Sequence, residues 1–170
     1  MGLTYATDNE ILEIVNERDE VTGTATRLEI HRRGLMHRAV HVFVFNRAGE
    51  IYVQRRSNAK DRHPLKLDSS AAGHVDPGET YEQTAIRELH EELGIRAAVE
   101  EVLRLPASKE TGQEHVVLFK TVTRRDPVPN SEEIVWGGFM SPGRLSELMS
   151  RDPNDFVPAF VLLWRTAACT

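Results

Sequence analysis

The chain has a single cysteine, Cys169, in 170 residues. No disulfide can therefore close within it, which excludes a disulfide-stapled scaffold and predicts a reducing, cytoplasmic compartment. No stretch reaches the roughly 20 apolar residues that a membrane-spanning helix needs, so a helical membrane anchor is not expected. The opening segment, MGLTYATDNEILEIVNERDE, turns acidic before an apolar run can form, and no secretory signal is predicted there. Basic charge is also in deficit: 21 Lys and Arg against 26 Asp and Glu leave a net charge of -5. Nothing in that balance draws the chain toward duplex nucleic acid or an acidic membrane. Any phosphate chemistry must then come from a local site or a metal.

What is present suits one compact domain spanning 1–170, since 40% of residues are apolar and 28% charged. Short apolar or alternating runs predict strands at 11–15, 40–45, 51–53, 99–105, 116–122 and 134–139, with turn residues such as Asn46 to Gly49 between them. Thr80, with Gln83 three residues later, predicts a capped helix over 80–93 that Gly94 ends. Two further helices are expected at 142–149 and 155–167, each opened by a Ser or Asp and Pro pattern. Strands around one strong helix, followed by C-terminal helices, predict an α+β domain layered as an α/β/α sandwich.

The chemistry is concentrated in GHVDPGETYEQTAIRELHEELGI, residues 73–95. Glu88, Glu91 and Glu92 stand at i, i+3 and i+4, on one side of the helix, where each like-charge pair costs roughly 0.2–0.5 kcal/mol. A cation is expected to relieve that cost. Carboxylate oxygens suit magnesium, which is usually shared between protein carboxylates and substrate phosphates. Gly73, Pro77 and Gly78 lie before the helix, where flexible backbone can turn toward the metal. An isolated E-x-x-E-E is roughly ten times more often a solvated face than a metal site. The larger pattern G-x5-E-x7-R-E-U-x-E-E-x-G-U, with U aliphatic, is filled by Gly73, Glu79, Arg87, Glu88, Leu89, Glu91, Glu92, Gly94 and Ile95. Average residue frequencies put a chance match on the order of 10⁻⁷.

That pattern is the Nudix box, and the chain resembles the Nudix hydrolase family. The resemblance implies a mixed sheet between helices and hydrolysis of a diphosphate linkage in a small molecule, typically a nucleoside diphosphate joined to another group. It implies magnesium, for which manganese can substitute, on Glu88, Glu91 and Glu92 with the Gly73 carbonyl. Glu88 or Glu92 would be the catalytic base, with Glu132 or Glu133 as alternatives, and Arg87 would pair with Glu79.

HRAVHVFVFN from His37, VQRRSNAKD from Val53 and SSAAGHVDPGE from Ser69 are similar to the Nudix branch that holds the isopentenyl-diphosphate isomerases. This second resemblance implies diphosphate binding by Arg56 and Lys60, with Arg55 on the other side of the strand. It also implies a second metal site at His37, His74 and Glu114, with His31 displaced by one residue. The isomerases' cysteine before Gly-His is Ala72 here, and their box is degraded where this one is complete, so hydrolysis is favoured. Isomerisation, or nucleotide sensing without turnover, are the alternatives. His90 and His115 read as surface or supporting residues, and Trp136 and Phe139 as core or as binders of a base or isoprenoid tail.

Overall fold

The structure, a computed structural model, describes residues 8–168; Cys169 lies outside them. A hairpin of β1 (Ile11–Val15) and β2 (Val21–Thr26) leads into a short helix, α1 (Arg27–Arg33). Four strands follow, β3 (His37–Phe45), β4 (Ile51–Arg56), β5 (Leu67–Asp68) and β6 (Ala71–His74), then helix α2 (Tyr81–Leu93). The chain continues through β7 (Glu100–Leu105), β8 (Glu114–Val122) and β9 (Ile134–Met140) to helices α3 (Pro142–Arg151) and α4 (Pro158–Ala167).

β3 is central because alternate side chains can be buried on both of its faces. Val40, Val42 and Val44 pack with Ala85, Leu89 and Leu93 of α2 on one side. Ala39 and Phe43 pack with Leu145, Met149, Phe160 and Leu163 of α3 and α4 on the other. The sheet runs β5-β4-β3-β8-β7, with β6 also on β3 and β9 also on β4. Its β3–β8 pair is parallel and the others antiparallel, so the sheet is mixed and lies between helices. At the β3–β4 turn the Asn46 Oδ1 accepts from the backbone N–H of Ala48 and Glu50, and Gly49 takes a left-handed φ of 77°. Among the described residues no helix is long and apolar enough to cross a membrane.

Several boundaries differ from expectation. β3 begins at His37, because residues 37–45 pair along their whole length with β8. β4 extends to Arg56, where β9 continues the ladder, and α3 runs on to Arg151. α4 begins at Pro158 and not at 155: the backbone N–H of Val157 bonds to the Leu67 carbonyl, which holds Phe156 and Val157 extended after a 3₁₀ turn at Pro153–Asp155. No side chain caps α4, contrary to the Asp-Pro reading. The hairpin strand β2, helix α1 and strands β5 and β6 are not apparent from apolar periodicity, since they are short or rich in Gly, Thr, Ser and charge.

The N-terminus of α2 has the expected capping box. The Thr80 hydroxyl accepts from the Gln83 backbone N–H at 3.2 Å, and the Gln83 side-chain Oε1 accepts from the Thr80 backbone N–H at 2.9 Å. Replacing Thr80 with Ala is expected to lower stability by about 1 kcal/mol. A urea melt should show a lower midpoint with an unchanged slope.

Candidate active site

The loop between β6 and α2 is fastened by one arginine. Arg87 donates to Glu79 through Nε and Nη2, to Glu88 Oε1 at 2.7 Å, to Glu91 Oε2 at 3.3 Å, and to the His74 carbonyl at 3.2 Å. The Thr84 hydroxyl donates to Glu79 at 2.7 Å. Arg87 is thus itself a cation beside the box carboxylates and supplies part of the relief that their spacing calls for. One guanidinium still faces three box glutamates and leaves negative charge in excess. Glu92 is not among its partners.

The three helix glutamates, Glu88, Glu91 and Glu92, also differ from one another. Glu91 is largely exposed, whereas Glu92 is 3% exposed and accepts from Gln54 Nε2 at 2.6 Å. Glu88 lies under β6, where a Cβ on Gly73 would overlap its carboxylate. This close approach explains the glycine. Burial pushes the Glu88 carboxyl well up, and the charge of Glu92 adds to the shift. Burial also lifts Glu92 to about 7; Lys60 opposes the shift and Glu133 reinforces it. One buried carboxyl, one largely covered and an exposed third suit a divalent cation, which would replace protons.

These glutamates line a cavity of about 570 Å³ together with Arg56, Lys60, Arg62 and Asp68. Arg56 donates to the buried Asp68 at 3.0 Å and to the Arg62 carbonyl at 3.2 Å, while Lys60 pairs with Glu133. Arg55 points away, into a two-pronged pair with Asp155 at 2.9 Å. The cavity floor includes Ala72 and, across the β3–β6 ladder from it, His41, whose Nδ1 lies 2.6 Å from the Ser69 hydroxyl.

A second cluster joins His31, His37 and His74, whose ligand atoms lie within 4.8 Å of one another. His37 donates from Nδ1 to the Leu35 carbonyl at 2.9 Å, which fixes a lone pair on Nε2. That Nε2 and the His74 Nε2 each lie 3.4 Å from Glu114 Oε1. Nε2 of both His31 and His37 is buried with no hydrogen-bond partner. A lone pair on His37 Nε2 would repel the carboxylate unless a proton or cation lay between them, so the donor set fits a metal. His31 belongs to this cluster and is not displaced from it. α1 brings it there, between its Thr26 cap and Gly34.

Residues 35–160 match the NUDIX domain family. The chain belongs to the NUDIX family. Relatives of this chain include proteins named Nudix hydrolase and proteins named isopentenyl-diphosphate Delta-isomerase. An uncharacterised Nudix hydrolase of Pseudomonas aeruginosa is 46% identical over 99 residues, which cover 58% of this NUDIX chain and 59% of that one. In this relative and in two others, from Nostoc and Yersinia pestis, the match spans about half of their length, 47% to 59%. An isopentenyl-diphosphate Delta-isomerase of Streptomyces coelicolor is 33% identical over 150 residues, covering 84% of this chain and 76% of the isomerase. The crystal structure of DR0079 from Deinococcus radiodurans aligns with a TM-score of 0.75 at 30% identity, over 84% of this chain and 90% of that one.

The structure thus gathers Gly73, Glu79, Arg87, Glu88 and Glu92 in one cluster, which meets the cavity through all but Glu79, and His31, His37, His74 and Glu114 in another, which meets it through His74 and Glu114. Other readings are corrected. His115 is buried, with Nε2 3.0 Å from the Asn16 carbonyl, and is not a surface residue. Trp136 is 48% exposed and outside the cavity, and Phe139 packs edge-on against Tyr52. Gln54 lies inside the VQRRSNAKD segment, where the basic residues carry the resemblance to diphosphate binders, and Arg62 lies one residue beyond it. Alternation along β4, which puts Gln54 on the α2 side between Val53 and Arg55, is the signal that could have found the first.

The raised carboxyls have a consequence for the metal-free protein. Between the ordinary value of 4.5 and about 7, folded Glu92 keeps a proton that the unfolded chain releases. Stability should therefore fall as pH rises through that window and level off above it. Urea melts in chelator at pH 5 and pH 7.5 should show this fall, and Glu92→Gln should shrink it.

Proposed function

We propose that this protein is a magnesium-dependent hydrolase that cleaves a diphosphate linkage in a small phosphorylated molecule, with nucleoside diphosphate derivatives as its substrate class. The observation that carries the reading is that the buried Glu92 and the largely covered Glu88 line the same cavity as Arg56 and Lys60. Its volume of about 570 Å³ suits a nucleotide-sized ligand. A single domain in the cytoplasm goes with this reading.

Glu88, Glu92, the outer Glu91 and the Gly73 carbonyl would hold magnesium, or manganese in its place. Bound there, the metal would neutralise phosphate oxygens and make water a better nucleophile. Gln54 holds Glu92 through Oε2, which leaves Oε1 to take the proton of an attacking water. Glu88 is the alternative base, with Glu132 and Glu133 also on the cavity wall. Arg56 and Lys60 are held by Asp68 and Glu133, so their charges are positioned before substrate arrives. Arg87 fixes the loop against the helix through Glu79. A second metal site at His31, His37, His74 and Glu114 belongs to the same proposal, supported by the two orphaned imidazole nitrogens.

The test is a panel of nucleoside di- and triphosphates and dinucleotide cofactors with magnesium, read by phosphate release and product mass. Activity should vanish in chelator and return with magnesium or manganese. Glu88→Gln and Glu92→Gln should each lower kcat by roughly 100-fold or more while the fold survives. Turnover undiminished by chelator would sink the metal reading, and saturable binding without turnover would favour a sensing module.

The likeness to a named isomerase raises isomerisation as a second reading. That reaction needs a proton donor and an acceptor across a hydrocarbon, and the side chain of Ala72 can supply neither. With isopentenyl diphosphate and magnesium, no dimethylallyl diphosphate should form at an enzymatic rate. Efficient conversion seen by NMR, and retained in Glu88→Gln, would show that the reaction had been misassigned.

A further inference from the structure

We infer that Arg62 is a two-position arm, docked on His31 when the histidine site holds no metal and released toward an anion in the main cavity when it does. The inference rests on the second metal site proposed above.

Arg62 Nη1 lies 2.7 Å from His31 Nδ1. A guanidinium can only donate, so Nδ1 must present its lone pair. A neutral imidazole has one lone-pair nitrogen and one N–H. The proton is then on His31 Nε2, which is buried and has no acceptor. An N–H cannot ligate a metal. If Nε2 is to ligate, the proton must move to Nδ1, where it would face the Arg62 donor. If Nδ1 ligates instead, it uses the same lone pair that Arg62 now occupies. Either way the metal and the Arg62–His31 hydrogen bond exclude one another.

The released side chain has a destination. Arg27 is paired with Asp61, Arg56 with Asp68 and Lys60 with Glu133. Among the described residues no carboxylate pairs with Arg62, and His31 is its only side-chain acceptor. Among the described residues Arg62 and Lys109 are thus the cavity cations that no carboxylate pairs, and Arg62 is the one that touches the histidine cluster. Its backbone is fixed, with the N–H donating to Asp61 Oδ1 at 2.9 Å and the carbonyl accepting from Arg56. The guanidinium lies beside Gly112, where a Cβ would come within 3.2 Å of Nη2, so the facing loop is bare where the side chain must move. Substrate diphosphate is the anion at hand. Metal in the histidine site and diphosphate in the cavity should each strengthen the binding of the other.

Cobalt(II) added to metal-free protein near neutral pH tests this, because imidazole-ligated cobalt has a visible absorption band that His37→Ala should abolish. Arg62→Met has no donor to displace, and it should bind cobalt about tenfold or more tightly than the wild type. Calorimetry with methylenediphosphonate, with and without cobalt, gives the second measurement. The gain in affinity on adding cobalt should be larger in the wild type than in Arg62→Met, and that comparison cancels any cobalt at Glu88 and Glu92. Equal or weaker cobalt binding by Arg62→Met, or equal gains for the diphosphonate, would overturn the arm. Absence of the imidazole band in both proteins would overturn the histidine metal site, and the arm with it.

Discussion

Arg87 is the fastening on which the active corner depends. Its guanidinium joins Glu79 from the loop, Glu88 and Glu91 from α2, and the His74 carbonyl at the end of β6. These groups come from three consecutive pieces of backbone, and without a common partner the carboxylates would drive them apart. The planar guanidinium can serve several acceptors at once, which a lysine ammonium could not do in this flat arrangement. Gly73 completes the device by letting β6 approach Glu88 closely.

The same corner sets up an electrostatic division of labour. Arg87 pairs with Glu79, Glu91 and one oxygen of Glu88, yet loss of solvent still leaves Glu88 and Glu92 with raised proton affinity. Gln54 gives Glu92 one neutral hydrogen bond and no countercharge. On the opposite flank, Asp68 and Glu133 do the converse for Arg56 and Lys60, holding cations ready for phosphate. A cavity built in this way offers separate places for a metal and for phosphate oxygens. The histidine cluster lies at its edge, connected to it by Arg62.

Much of this was legible in the chain itself. The α2 helix, its Thr80 cap, its Gly94 terminus and the order of the box residues follow from spacing over about twenty positions, because helical geometry fixes which side chains are neighbours. The layered α+β architecture follows from apolar strand runs around that helix and amphipathic helices after it. The pairing of Arg87 with Glu79 is also local. Short elements were not legible: β5 has two residues and exists only because β4 offers it partners, and α1 has seven residues and one buried apolar side chain, Ile30.

The sequence by itself determined the family, the helix that carries the carboxylates and the charge types available for phosphate chemistry. Tertiary structure alone decided which of those charges are free. Nothing in the residue order tells that Glu91 faces solvent while Glu92 is buried against Gln54, 38 positions away. Nor does it tell that His31 joins His37 and His74, or that Arg62 lacks a carboxylate where Arg27, Arg56 and Lys60 have one. Burial and countercharge are properties of the packed environment, contributed by residues distant in the chain, and they set proton affinity and ligand readiness more strongly than residue type does.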